Sequence, residues 1–76
     1  MILPTKYLNV RWSLLAVGAQ ILQHLATART VTELWSDVQE LPEVTSFERF
    51  TLALALLYSL GLVELTEDGL LEKRRL

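Results

Sequence analysis

Leu60-Gly61-Leu62-Val63-Glu64-Leu65-Thr66-Glu67-Asp68-Gly69-Leu70-Leu71-Glu72-Lys73 is where this chain changes its period. Up to Leu60 the apolar residues recur at helical spacing, and Gly61 stands where a left-handed C-terminal cap ends a helix. Beyond it, Leu62–Thr66 and Leu70–Lys73 read as two strands. Glu67-Asp68-Gly69 lies between them, and Asp-Gly is a strong signal for a tight two-residue hairpin turn. A hairpin closing an otherwise helical chain makes the fold mainly α with a C-terminal β-hairpin.

Working back from Leu60, the third helix begins at Thr45 or Ser46, with a box-like Thr45…Glu48 pair at its start. Phe47, Phe50, Leu54, Leu57 and Tyr58 form its inward stripe, and Leu52, Leu56 and Leu60 fall on the other side at about 100° per residue. Leu41-Pro42-Glu43 separates it from a second helix. That helix starts at a capping box, Thr30-Val31-Thr32-Glu33, with Thr32 as the alternative cap, runs to Val38 or Gln39, and buries Leu34, while Trp35 either packs beside it or, like Trp12, serves as an interface anchor. The first helix spans Arg11–Thr27 on a stripe of Leu14, Leu15, Gly18, Ile21, Leu22 and Leu25. Its other face, with Ser13, Gln20, Gln23, His24 and Thr27, is polar but uncharged. Gly18 inside the stripe costs roughly 1 kcal/mol relative to Ala, which a close approach of another backbone would explain. Residues 1–10 read as an extended N-terminal arm interrupted by Pro4. One domain therefore covers residues 1–76: the arm, three helices over 11–60 and a hairpin over 62–73. This is a helix-turn-helix followed by a wing, the winged-helix order.

Composition narrows the function. The chain has 76 residues, 51% of them hydrophobic, and its mean hydropathy is +0.33. A domain this small buries only about 60% of its unfolded surface, so apolar residues are left over for a partner or a second copy. A membrane is the wrong destination. The longest apolar stretch, Leu52–Val63, contains Ser59 and Gly61 and falls short of the roughly 20 residues a span needs. Pro4, Thr5 and Lys6 interrupt the N-terminus where a signal peptide is apolar, so a cytoplasmic protein is expected. The formal net charge is −2 and there is no cysteine. A basic footprint for nucleic acid is therefore missing, as are thiolate metal sites and disulfides.

No residue pattern points to catalysis or a cofactor. His24 is the only histidine and has no ligand cluster around it. There is no phosphate-binding glycine loop, no nucleophile–base pair and no carboxylate pair at useful spacing. The third helix sits where a DNA-recognition helix sits, yet Arg49 is its only basic residue. The expected contact surface is a protein interface. It takes in Leu52, Leu56 and Leu60 on the outer side of the third helix, Leu3 and Leu8 in the arm, and Trp12 as an aromatic anchor. Lys73, Arg74 and Arg75 are the one basic cluster, and they provide at most a weak phosphate contact. Glu64, Glu67, Asp68 and Glu72 make the wing itself acidic.

Several stretches in this order resemble a bacterial family. They are Met1-Ile2-Leu3-Pro4-Thr5-Lys6, Ser13-Leu14-Leu15 with Gly18-Ala19, and Thr30-Val31-Thr32-Glu33-Leu34-Trp35. Ser46-Phe47-Glu48-Arg49-Phe50 with Leu52-Ala53-Leu54 and Leu60-Gly61-Leu62-Val63-Glu64-Leu65 follow. Together they are similar to the sixth class of middle component of the ABC-three-component systems. The resemblance implies a small non-enzymatic adaptor, without cofactors, that bridges an SMC/Rad50-like ATPase subunit and an effector subunit. The setting it implies is a Lamassu-type defence complex against phage and plasmids. Self-association is a further use for the surplus apolar surface. The residues alone leave a second class open, a winged-helix DNA-binding transcriptional regulator.

Overall fold

The computed structural model describes the backbone of residues 4–74 and the side chains of residues 10–74. The elements run α1 (Pro4–Gln23), α2 (Val31–Val38), α3 (Phe47–Ser59), β1 (Val63–Leu65) and β2 (Leu71–Lys73). Three helices followed by an antiparallel hairpin match the expected class and are consistent with a winged helix.

The first element departs from expectation. Residues from Pro4 onward are helical, not an extended arm, so α1 starts one residue after Leu3 and ends at Gln23 instead of Thr27. Proline suits the first position of a helix, where its missing N–H is unpaired in any case and its fixed φ is already helical. At the other end, the amides of His24 and Leu25 donate to the carbonyls of Ile21 and Leu22, which tightens the last turn. The helix cannot run on because Arg29 is needed elsewhere. Its N–H donates to the Leu71 carbonyl at 2.9 Å and its carbonyl accepts from the Leu71 amide. This single antiparallel bridge lies on the side of β2 away from β1, so β2 is the middle strand of a minimal three-stranded arrangement.

The next residue starts α2. Thr30 is extended (φ −71°, ψ 159°), its hydroxyl accepts from the Glu33 amide, and the Glu33 carboxylate accepts from the Thr30 amide. The expected capping box is thus formed. The cap of α3 differs from the box-like Thr45…Glu48 pair. Thr45 takes φ +60°, outside the extended region a cap needs, and Ser46 accepts from the Arg49 amide in its place.

At the end of α3, Gly61 adopts φ +74°. Its amide donates to the Tyr58 carbonyl and the Leu62 amide to that of Leu57. Two such bonds around a left-handed residue make a Schellman cap. The hairpin pairs Val63 with Lys73 and Leu65 with Leu71. Its turn is longer than the two-residue reading. The Gly69 amide closes on the Thr66 carbonyl, the Thr66 amide donates to the Leu70 carbonyl, and only Gly69 takes a positive φ (+80°). Asp68 keeps a negative φ, so Asp-Gly does not form the left-handed pair of a two-residue turn.

One core joins all elements: Val17, Ile21 and Leu25 from the first segment, Leu34 and Val38 from α2, then Val44, Phe50, Ala53, Leu57, Val63 and Leu71. Gly18 is buried, but what faces it is a side chain and not a backbone. A Cβ there would lie 3.0 Å from Leu57 Cδ2. Among the described residues no helix is long and apolar enough to cross a membrane.

Candidate protein-interaction surface

α3 carries the core on Phe50, Ala53 and Leu57. Phe47 (52% exposed) and Tyr58 (65%) leave the predicted inward stripe, and Ala53 takes an inward place between Phe50 and Leu57. Phe47 still has a packing role. Trp35 meets it edge-on, with centroids 5.1 Å apart, and leans on Phe50 at 5.2 Å. Trp35 is therefore a packing residue, the first of the two roles its sequence position allows.

Opposite the core, α3 presents Glu48, Thr51, Ala55 and Ser59, all exposed. The two hydroxyls are turned back on their own helix. Thr51 donates to the Glu48 carbonyl at 2.8 Å and Ser59 to that of Ala55 at 2.7 Å. Arg49, the one cation of α3, bonds the Ser13 hydroxyl on α1 and reaches the Glu43 carbonyl at 3.4 Å. Of the side-chain donors on α3, the hydroxyls of Thr51 and Ser59 and the guanidinium of Arg49 are thus engaged within the fold, and the exposed Tyr58 hydroxyl is the one left without a partner among the described residues. Ser13 is likewise occupied, and His24 Nδ1 sits 2.9 Å from the Gln20 carbonyl oxygen, so part of the polar side of α1 is used internally.

Two apolar flanks border this face. On the α1 side, Leu52 (49% exposed), half-buried Leu56 and Leu60 (54%) succeed one another at one-turn spacing. Leu56 and Leu60 join Arg11, Leu14 and Leu15 of α1 around a groove of about 360 Å³. Of the residues singled out from sequence, the structure brings Leu56 and Leu60 together and leaves Leu52 one turn away on the same flank. Trp12, 65% exposed on α1, does not line the groove. Leu3 and the side chain of Leu8 lie outside the described residues. Arg11 was not singled out, although it stands beside an apolar stripe, and Leu14 and Leu15, read as part of the inward stripe of the first helix, line the groove outside the core instead, with Leu15 37% exposed.

On the other flank, Val31, Leu54, Tyr58, Val63 and Leu65 line a second apolar groove, of about 440 Å³, between α3 and the hairpin. The sequence reading placed Leu54 and Tyr58 in the core and so missed it. Val63 and Leu65, two apart on one strand and so on one face of the hairpin, were the available sign.

The remaining charges do not build a site. Glu64 and Glu72 stand directly opposite each other on the hairpin. Lys73 and Arg74 are exposed, Arg74 follows the end of β2, and its Nη1 lies 3.6 Å from where a Gly61 Cβ would be. Arg75 lies outside the described residues. Arg29 pairs with Asp37 and ties the sheet to α2. The Thr30 amide and hydroxyl, with Arg29 nearby, hold the Glu33 carboxyl below the usual glutamate range. Among the described residues no group of three His, Cys, Asp or Glu is placed to hold a metal.

Residues 3–74 match the family described as ABC-three component (ABC-3C) system Middle Component 6, and the chain belongs to that family. No curated protein and no solved structure matches it.

Proposed function

We propose, with that membership as the premise, that this middle component is a non-enzymatic cytoplasmic adaptor. It joins an SMC/Rad50-like ATPase to an effector in a Lamassu-type bacterial defence complex against phage and plasmids. The observation that carries the reading is the outward face of α3. Where a DNA reader displays donors, this helix displays hydroxyls bonded to its own backbone, flanked by Leu52, Leu56 and Leu60. Burying a leucine fully is worth about 1.5–3 kcal/mol, so this flank gains more from a protein surface than from water or phosphate.

The test is assembly. The subunit is co-expressed with its co-encoded partners, and Leu52→Glu and Leu56→Glu are compared with the unaltered chain in co-purification. Loss of both partners, with the helical circular dichroism unchanged, supports the adaptor. Leu52→Glu guards against a folding defect, because its side chain is the more exposed. Full assembly by both folded variants places the contact elsewhere and refutes this surface. The regulator reading draws on Lys73, Arg74 and Arg75 alone and is tested separately below.

A further inference from the structure

We propose that the groove between α1 and α3 receives an amphipathic helix of a partner protein that carries a carboxylate beside its apolar stripe, and that Arg11 recognises that carboxylate. The proposal rests on the adaptor reading and adds the class of partner. Its first support is chemical asymmetry. Four leucine-type walls, Leu14, Leu15, Leu56 and Leu60, enclose the groove with a single polar residue, Arg11. Arg11 is exposed and has no hydrogen-bond or ion-pair partner among the described residues, whereas Arg29 and Arg49 are both engaged.

The charge on its lining has one sign. Arg11 is the single charged residue among the described residues that line the groove, and the α1 wall, from Pro4 to Gln23, has no acidic residue in its sequence. An occupant complementary to this surface is acidic. A second copy presenting the same face opposes like charges. Its acidic helix α2 is not free either, because Leu34 and Val38 are buried in its own core.

The walls also select the shape of the occupant. Both are α-helical, with their backbone groups bonded internally, so a guest buried between them finds no backbone partner. A helix satisfies its own backbone and an extended strand does not. Apolar anchors one turn apart on the guest then meet Leu56 and Leu60, which are themselves one turn apart.

The experiment uses the full chain, labelled with 15N, and two synthetic helical peptides of about 15–18 residues, long enough to hold helix. Both carry leucine at i, i+4, i+7 and i+11. One has glutamate at the flanking positions and the other lysine. The expected result is that the glutamate peptide shifts the amides of Arg11, Leu15, Leu56 and Leu60 and binds roughly three- to tenfold more tightly. Arg11→Ala should erase that preference, and high salt should shrink it. Equal binding of both peptides, binding of neither, or shifts confined to the Tyr58–Leu65 groove overturns the proposal. If Leu56→Glu still abolishes assembly in any of those cases, the partner class is wrong and the adaptor reading stands.

Discussion

Replacing Gly18 by alanine sets two effects of similar size against each other, and the structure decides the sign. Alanine in mid-helix gains about 1 kcal/mol over glycine. The added methyl, however, would lie 3.0 Å from Leu57 Cδ2, 3.4 Å from Cγ and 3.7 Å from Cδ1. Leu57 is 2% exposed and shares the core with Phe50 and Ala53, so it has little room to retreat. Overpacking a filled core costs about 1–3 kcal/mol. The net expectation is a loss of about 1 kcal/mol, which lowers Tm by roughly 4–8 °C in a domain of this size. Leu57→Ala removes the opposing atoms, at a cost of about 2–5 kcal/mol. In that background Gly18→Ala should become stabilising by up to about 1 kcal/mol. Urea unfolding of the four variants, all in the same stabilising osmolyte, measures the coupling. A Gly18→Ala chain at least as stable as its parent, or one whose effect is the same in both backgrounds, refutes the contact.

Thr30→Ala should cost about 1 kcal/mol by removing the cap of α2, read by the same unfolding assay. Acid should weaken this cap through Glu33. Its pKa is lowered in the fold, so its contribution is in place above the unfolded glutamate value of about 4.3 and disappears as pH falls through the lower folded value. The stability curves of the parent and Glu33→Gln should therefore converge below that window, and curves that stay parallel would contradict the shift. Gly61→Ala should destabilise by about 1 kcal/mol because φ +74° is strained for alanine. In fluorescence anisotropy at about 150 mM salt, the isolated chain should bind duplex DNA no more tightly than the roughly 10⁻⁶ M of non-specific binders. Tight binding lost on changing Lys73, Arg74 and Arg75 to alanine would favour a regulator.

Local signals carried much of the fold. The Thr30…Glu33 box and Gly61 each specify a backbone geometry through their own side chain or its absence, so both were legible in the sequence. Pro4 was misread because a proline that suits a strand edge suits a helix start equally well, and only the chain around it separates the two. The Arg29–Leu71 bridge left no mark, since backbone groups make it and any side chain would do. The candidate interaction surface was half legible. Leu52, Leu56 and Leu60 follow from helical spacing. The rotation of α3 that brings Ala53 inward and leaves Tyr58 exposed is set by the elements it packs against, which spacing along α3 does not encode.

The strand that lies in the middle of the sheet joins elements far apart in sequence. Arg29 and β1 both pair with β2, so neither finds its hydrogen-bonding partner until residues 71–73 are in place. The helices can dock earlier, but Val63 and Leu71 complete the core together, and a folding chain meanwhile shows unpaired edges and apolar surface. A substitution that breaks β2 therefore opens two edges at once, whereas one that breaks β1 opens a single edge.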